Sequence, residues 1–334
     1  MKRKNKKRIV VIGGGTGLST VLRGLKTYPF DITAIVTVAD DGGSSGRLRD
    51  DYDIPPPGDI RNVIAALSDT EPLFEQMFQY RFSNNNSKTL GGHSLGNLML
   101  AALTEITGDF NLAISEMSKV LKVHGKVIPA ANKQVTLHAE LENGMFIEGE
   151  SRIPKANSPI RRVFLSPKDV KPLPSAIQAI KQADIILIGP GSLYTSIIPN
   201  LLVKEIASAV VNASAEKIYI CNLMTQPGET LGYRASDHVN AIHNHTGEKF
   251  IQSILINNQD LPRNVSELYL EEKAEPVLFD IDNLAKINLN IYKEEIASVK
   301  DGVVRHHPTN VANWLCNYVK EKDIATISRK KTLL

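Results

Sequence analysis

Apolar and polar positions fall in blocks whose period changes along the chain. Residues 9–12 (IVVI) are continuously apolar, and 32–38 (ITAIVTV) and 183–188 (ADIILI) are mostly so; such runs predict parallel strands buried on both faces. Residues 217–221 and 250–256 predict two more strands. Between these runs, apolar positions recur at helical spacing over 18–25, 60–67, 72–80, 94–104, 111–121, 175–182, 200–211, 237–246 and 309–320, where Trp314 and Leu315 share the apolar side. Residues 134–141 (QVTLHAEL) alternate instead, which predicts a half-exposed strand, and 149–152 and 160–165 extend that β-rich stretch. Pro, Gly, Asp and Ser dominate 40–59, which reads as a long loop. Strand and helix blocks in alternation predict an α/β fold: Rossmann-like, doubly wound, a mostly parallel sheet with helical and small β-rich insertions. The expected organisation is one unit over 9–322 with an elaborated middle near 134–165, a basic tail at 1–8 and a second tail at 323–334. No internal repeat or low-complexity segment interrupts it.

Composition narrows the class. The chain has 334 residues, 42% hydrophobic and 22% charged, which excludes a disordered chain, a collagen or a coiled coil. No run approaches the ~18 apolar residues of a membrane span, so the protein is not expected to be transmembrane. Cys221 and Cys316 are far apart, which argues against a disulfide scaffold or a cysteine zinc site and for a reducing, cytoplasmic location. The net charge of +3 conceals an uneven distribution: six basic residues lie in MKRKNKKR and three more at 329–331, leaving 30 basic against 36 acidic residues between. A body of that sign is a poor nucleic-acid surface. The basic start is no signal peptide, because glycines end the apolar run after four residues. It reads as a solvated tail or as a contact for an acidic partner or membrane surface.

Four polar loops follow strand or helix boundaries. Gly13, Gly14, Gly15, Thr16 and Gly17 turn the first strand into a helix, where glycines admit a ligand to the backbone and the helix N-terminus favours phosphate. The dinucleotide pattern G-x-G-x-x-G fails in both registers, at Leu18 and at Thr20, and no Walker lysine is present. The alternative is a purely structural turn. Asp40 and Asp41 close the second strand, where they suit a ribose contact, a Mg²⁺ site, or only a turn. Ser44, Ser45, Arg47 and Arg49 follow, the arginines able to meet phosphates. His93 and Asn97 in GGHSLGN lie on one helical face, either toward a ligand or as satisfied structural groups. Gly189, Gly191, Ser192, Thr195 and Ser196 form a second glycine elbow, without the G-x-S-x-G of a nucleophile elbow. Asn222 opens a third polar loop (NLMTQPGE). Three such strand-end loops imply one crevice along the sheet's carboxyl edge. Tyr269 and Arg305 are the last candidates; His306 and His307 are adjacent and point to opposite faces of a strand, which disfavours joint metal binding.

The motifs VVIGGGTGLSTVLRGLK, TVADDGGSSGRLR, PPPGDIRN, GGHSLGNLML, IGPGSLYTSIIPNLL and CNLMTQPGET together resemble the bacterial gluconeogenesis factors, the YvcK-like proteins, over about residues 8–320. These are similar in fold to 2-phospho-L-lactate transferase (CofD-like), which moves a phospholactyl group from a nucleotide diphosphate donor to a flavin-like acceptor. The resemblance implies a cytoplasmic protein acting in central carbon use and in cell-wall synthesis or cell shape, with UDP-N-acetylglucosamine as ligand. It further implies protein partners in cell-wall synthesis and self-association as a homo-oligomer. By position, Gly13–Gly17 and Asp40–Asp41 match the nucleotide and metal region of the transferases, and Tyr269 and Arg305 match ligand positions of the gluconeogenesis factors. Ala39-Asp40-Asp41 departs from the transferase's Gly-Asp-Asp, which weighs against phospholactate transfer. No general base with a paired nucleophile can be assembled from these motifs, which favours a binding, regulatory protein over the alternative, a Mg²⁺-dependent transferase.

Overall fold

The computed structural model describes residues 6–84, 89–156 and 158–332, with side chains to residue 324. Among the described residues twelve strands are formed: β1 Lys7–Gly13, β2 Phe30–Val36, β3 Lys126–Pro129, β4 Thr136–Leu141, β5 Phe146–Glu148, β6 Ile160–Ser166, β7 Ile185–Ile188, β8 Glu216–Ile220, β9 Ser253–Asn257, β10 Asn290–Glu294, β11 Ala297–Lys300 and β12 Val303–His306. Seven make one sheet in the order β10-β9-β8-β7-β1-β2-β3, and every pair in it is parallel. The strand order reverses between β1 and β7, which is the topological switch point of a doubly wound sheet. β4–β6 form a separate antiparallel sheet and β11–β12 a hairpin.

Both faces of the parallel sheet are covered. Ile9 and Val11 of β1 pack with Leu18, Leu22, Ile60, Ile64, Trp314 and Leu315 on one side. Val10 and Ile12 pack with Ile180, Ile206, Ile242 and the inner face of β4–β6 on the other. The apolar runs in the sequence reflect this two-sided burial.

Several segments differ from the sequence reading. The supposed loop over 40–59 contains the helix Gly43–Tyr52, which buries only Ser44, Ser45, Gly46 and Leu48 and so carries almost no apolar periodicity. Residues 149–152 are not strand; they begin the 3₁₀ helix Glu150–Lys155. The helix expected over 200–211 is broken into a wide turn Leu193–Ile197, a short helix Ile198–Leu201 and the helix Lys204–Asn212. The last helix runs Pro308–Thr332 and takes in residues 323–332 of the segment read as a C-terminal tail, whose residues 333–334 lie outside the described residues. β1 starts at Lys7, inside the expected basic tail, of which residues 1–5 lie outside the described residues. Among the described residues, no helix is long and apolar enough to cross a membrane.

Candidate functional site

A cleft of about 490 Å³ opens at the carboxyl edge of the sheet, over the switch point between β1 and β7. Its floor is the turn from β1 into the helix Gly15–Leu25. Gly13 ends the strand and lies beneath the cleft, its carbonyl accepting from Asn200 Nδ2 at 3.1 Å. Gly14, Gly15, Thr16 and Gly17 line it. Gly15 has φ +67°, a conformation that L side chains rarely adopt. A Cβ on Gly17 would lie 3.3 Å from Gly191 N, so the two glycine loops touch back to back. Gly189 is buried, while Gly191 and Ser192 reach the cleft.

The wall beside the glycine turn is acidic. Asp40, Asp59 and Glu150 all line it. The Asp59 carboxylate accepts from the Gly15 N–H, so part of the helix N-terminus is already taken by the chain's own anion. Burial, reinforced by Asp40, pushes Asp59 up to about 7. Burial, with Asp40 and Asp59 next in effect, pushes Glu150 up to about 8. Asp40 is raised too by burial, partly offset by hydrogen bonds from Gly42 N–H (2.9 Å) and the Ser45 side chain. The expected Asp40–Asp41 pair does not form. Asp41 turns away, its Oδ1 accepting from Ser151 N–H at 2.8 Å; Asp59 and Glu150 stand with Asp40 instead. The carboxylate oxygens suit a hard cation, and their mutual repulsion is what a divalent ion would relieve. Among the described residues no three acids, histidines or cysteines converge on one coordination point. The fit is that of an ion held by one or two carboxylates and completed by water and ligand oxygens.

The opposite wall brings together residues far apart in sequence. The Tyr269 hydroxyl accepts from Val304 N–H at 2.9 Å, which fixes the ring beside the exposed guanidinium of Arg305. Both line the cleft, as does His306, whose Nε2 donates to the Cys221 carbonyl at 3.0 Å and whose burial pulls it down to about 4. The end wall comes from the loop after β8. Asn222 Nδ2 donates to the Gly191 carbonyl at 2.9 Å, and Gln226 Nε2 to Ser192 Oγ at 2.9 Å. Thr195 is buried below this wall, donating to Glu229 Oε1 at 2.9 Å while Tyr194 N–H donates to Oε2. It braces the loop rather than facing the cleft.

Ser44, Arg47, His93 and Asn97 meet one another but not the cleft. Ser44 Oγ is 3.0 Å from His93 Nδ1 and accepts from Asn97 Nδ2 at 3.1 Å; Arg47 donates to the Gly91 carbonyl at 2.7 Å. Ser44, His93 and Asn97 are buried and anchor the helix Gly43–Tyr52 to the helix Leu95–Thr107, while Arg47 lies exposed beside them. Ser45 reaches the site only through Asp40. Sequence reasoning missed Asp59 and Glu150 as lining residues, whereas Gln226 lies in the third polar loop and His306 beside Arg305. The signal for Asp59 was a charged residue directly after PPPG, at the start of an apolar helix.

Comparison with known proteins agrees with this architecture. The family model described as 2-phospho-L-lactate transferase CofD matches residues 9–297. A gluconeogenesis factor of Bacillus subtilis (strain 168) is 58% identical over 316 residues, 95% of this chain and 99% of that one. A gluconeogenesis factor of Halalkalibacterium halodurans is 57% identical over 312 residues, 93% of this chain and 95% of that one. A crystal structure of a Bacillus halodurans protein superposes with a TM-score of 0.91 at 55% identity, covering 93% of this chain and all of that one.

Proposed function

Because the chain belongs to the CofD family and, within it, to the gluconeogenesis factors, we propose that the carboxyl-edge cleft binds a nucleotide-sugar, UDP-N-acetylglucosamine, and that the bound state regulates carbon use and cell-wall synthesis from the cytoplasm. The observation that carries this reading is that Arg305 and Tyr269 line the same cleft as the glycine turn Gly14–Gly17. Backbone N–H groups at a helix start and a guanidinium opposite them suit a diphosphate between two walls. Gln226, Asn222 and Ser192 supply amides and a hydroxyl for a sugar. Among the described lining residues no hydroxyl is paired with a free imidazole, since His306 is committed to Cys221. That favours binding over turnover. Partners in cell-wall synthesis and self-association belong to the same proposal.

A second reading has its own support. Asp40, Asp59 and Glu150, set against the glycine turn in a chain of the CofD family, suit a Mg²⁺-dependent transferase using a nucleotide diphosphate donor. Mg²⁺ held there would neutralise charge on the donor phosphates. Asp40 and Asp59 would hold it, the cation relieving the burial and mutual repulsion that raise both carboxyls.

Calorimetry with UDP-N-acetylglucosamine in EDTA and again with Mg²⁺, followed by product analysis, separates the two. The regulatory reading expects one-to-one binding in EDTA and intact ligand afterwards. Binding that needs Mg²⁺, with release of a nucleotide product, establishes the transferase reading instead.

A further inference from the structure

We propose a second ligand site at the opposite, amino edge of the sheet, which takes a small multiply charged organic anion, a polycarboxylate or a phosphate ester. A cavity of about 640 Å³ opens there between the starts of β8 and β9, the end of the helix Ala235–Thr246 and the last helix. Three lysines line it, Lys217, Lys249 and Lys322, against one carboxylate, Glu216. That carboxylate is already engaged, with Lys322 at 3.1 Å and the Ser253 hydroxyl at 2.9 Å.

A buried ammonium makes this more than a solvated basic patch. Lys217 is only 5% exposed, yet its ammonium donates to a single carbonyl, that of Ala213, and enters no ion pair among the described residues. A buried ammonium without a counter-ion is costly to hold, and an anion in the adjoining cavity would compensate it. His243, also 5% exposed, forms part of the wall. Its Nε2 accepts from both Phe250 N–H and Ile251 N–H at 3.3 Å, which places the proton on Nδ1. That Nδ1–H is buried and has no acceptor. An oxyanion in the cavity compensates the Lys217 ammonium, while Lys249, exposed at the rim, adds charge. Val211, Phe250, Ile251 and Ile287 line it as well, beside the amides of Gln252, Asn288 and Asn290, which offer a carbon skeleton contacts and its polar groups donors. None of these residues reaches the carboxyl-edge cleft, so the inference does not depend on what that cleft binds.

The test is calorimetric titration with citrate and, separately, with glucose 6-phosphate, on the parent chain, on Lys249→Ala, on Lys217→Met/Lys249→Ala, and on Arg305→Ala. One saturable site is expected for the parent with at least one of the two probes, and the responding probe tells carboxylate from phosphate. Lys249→Ala should bind several-fold more weakly and the double variant at least about tenfold more weakly, while Arg305→Ala binds as the parent does. Lys249 is exposed, so its variant reports even if Lys217→Met fails to fold. Failure of both probes to bind at millimolar concentration overturns the proposal. So does equal affinity in Lys249→Ala, or loss of binding in Arg305→Ala alone.

Discussion

Arg305 and Asp59 hold opposite positions in the electrostatics of the cleft. Arg305 presents the guanidinium of one wall, and Asp59 occupies a helix-terminal N–H that an anionic ligand would otherwise use. Lysine at 305 keeps the charge but loses the planar fork. Arg305→Lys should therefore weaken UDP-N-acetylglucosamine binding and Arg305→Ala should weaken it roughly tenfold to a hundredfold, read by calorimetry. Equal affinities would make Arg305 a bystander. Gly15 is a poorer probe, because its φ of +67° means that any side chain there strains the turn itself. Asp59 titrates near 3.8 in the unfolded chain and about 7 in the fold. The folded state thus holds the extra proton between those values, so stability falls as pH rises through that window. Glu150 acts in the same direction between 4.5 and about 8. Asp59→Asn and Glu150→Gln mimic the protonated groups. The melting temperature of the double variant should decline less between pH 5 and 8 than that of the parent; parallel curves would refute the upward shifts that burial imposes.

At the scale of elements, close backbone approaches and single polar braces set the site. The helix Gly15–Leu25 crosses the start of the last helix at Gly24, where a Cβ would stand 2.0 Å from the Pro308 carbonyl oxygen. Gly24→Ala must push the two helices apart and should cost ~1–3 kcal/mol or more in denaturant unfolding. Asn200 ties the end of β1 to the wide turn Leu193–Ile197 through bonds to Gly13 and Ser196 carbonyls. Asn200→Ala should cost ~1–3 kcal/mol and loosen the glycine turn, seen as faster amide exchange at Gly13–Gly17. Unchanged exchange there would show that β1 positions its own turn. These elements differ in how plainly the sequence displays them. β1, β2, β7 and β8 are legible because two-sided burial demands mostly apolar segments. The helix Gly43–Tyr52 is not, because GSSGRLRDDY buries small polar residues and its first turn is built from turn formers. β10–β12 are short and half-exposed, so no period marks them.

For the whole molecule, the order β10-β9-β8-β7-β1-β2-β3 decides where chemistry can gather. The reversal between β1 and β7 opens the crevice, and every strand-end loop read from the sequence lies near it. Gly14–Gly17, Asp40, Gly191, Ser192, Asn222, Tyr269 and Arg305 converge on it. Ser44, His93 and Asn97 do not, although their polar, glycine-flanked motif reads the same in one dimension. What distinguishes them is which side of the helix Gly43–Tyr52 they face, and that depends on a helix the sequence conceals. Asp59 and Glu150 enter the site through the same hidden geometry. The central claim, that this crevice takes a nucleotide-sugar, is tested most directly by a crystal structure of the chain grown with UDP-N-acetylglucosamine. The account predicts diphosphate density between the turn Gly14–Gly17 and the guanidinium of Arg305. A cleft without ligand density, in crystals of protein that calorimetry shows to be saturated, would contradict it.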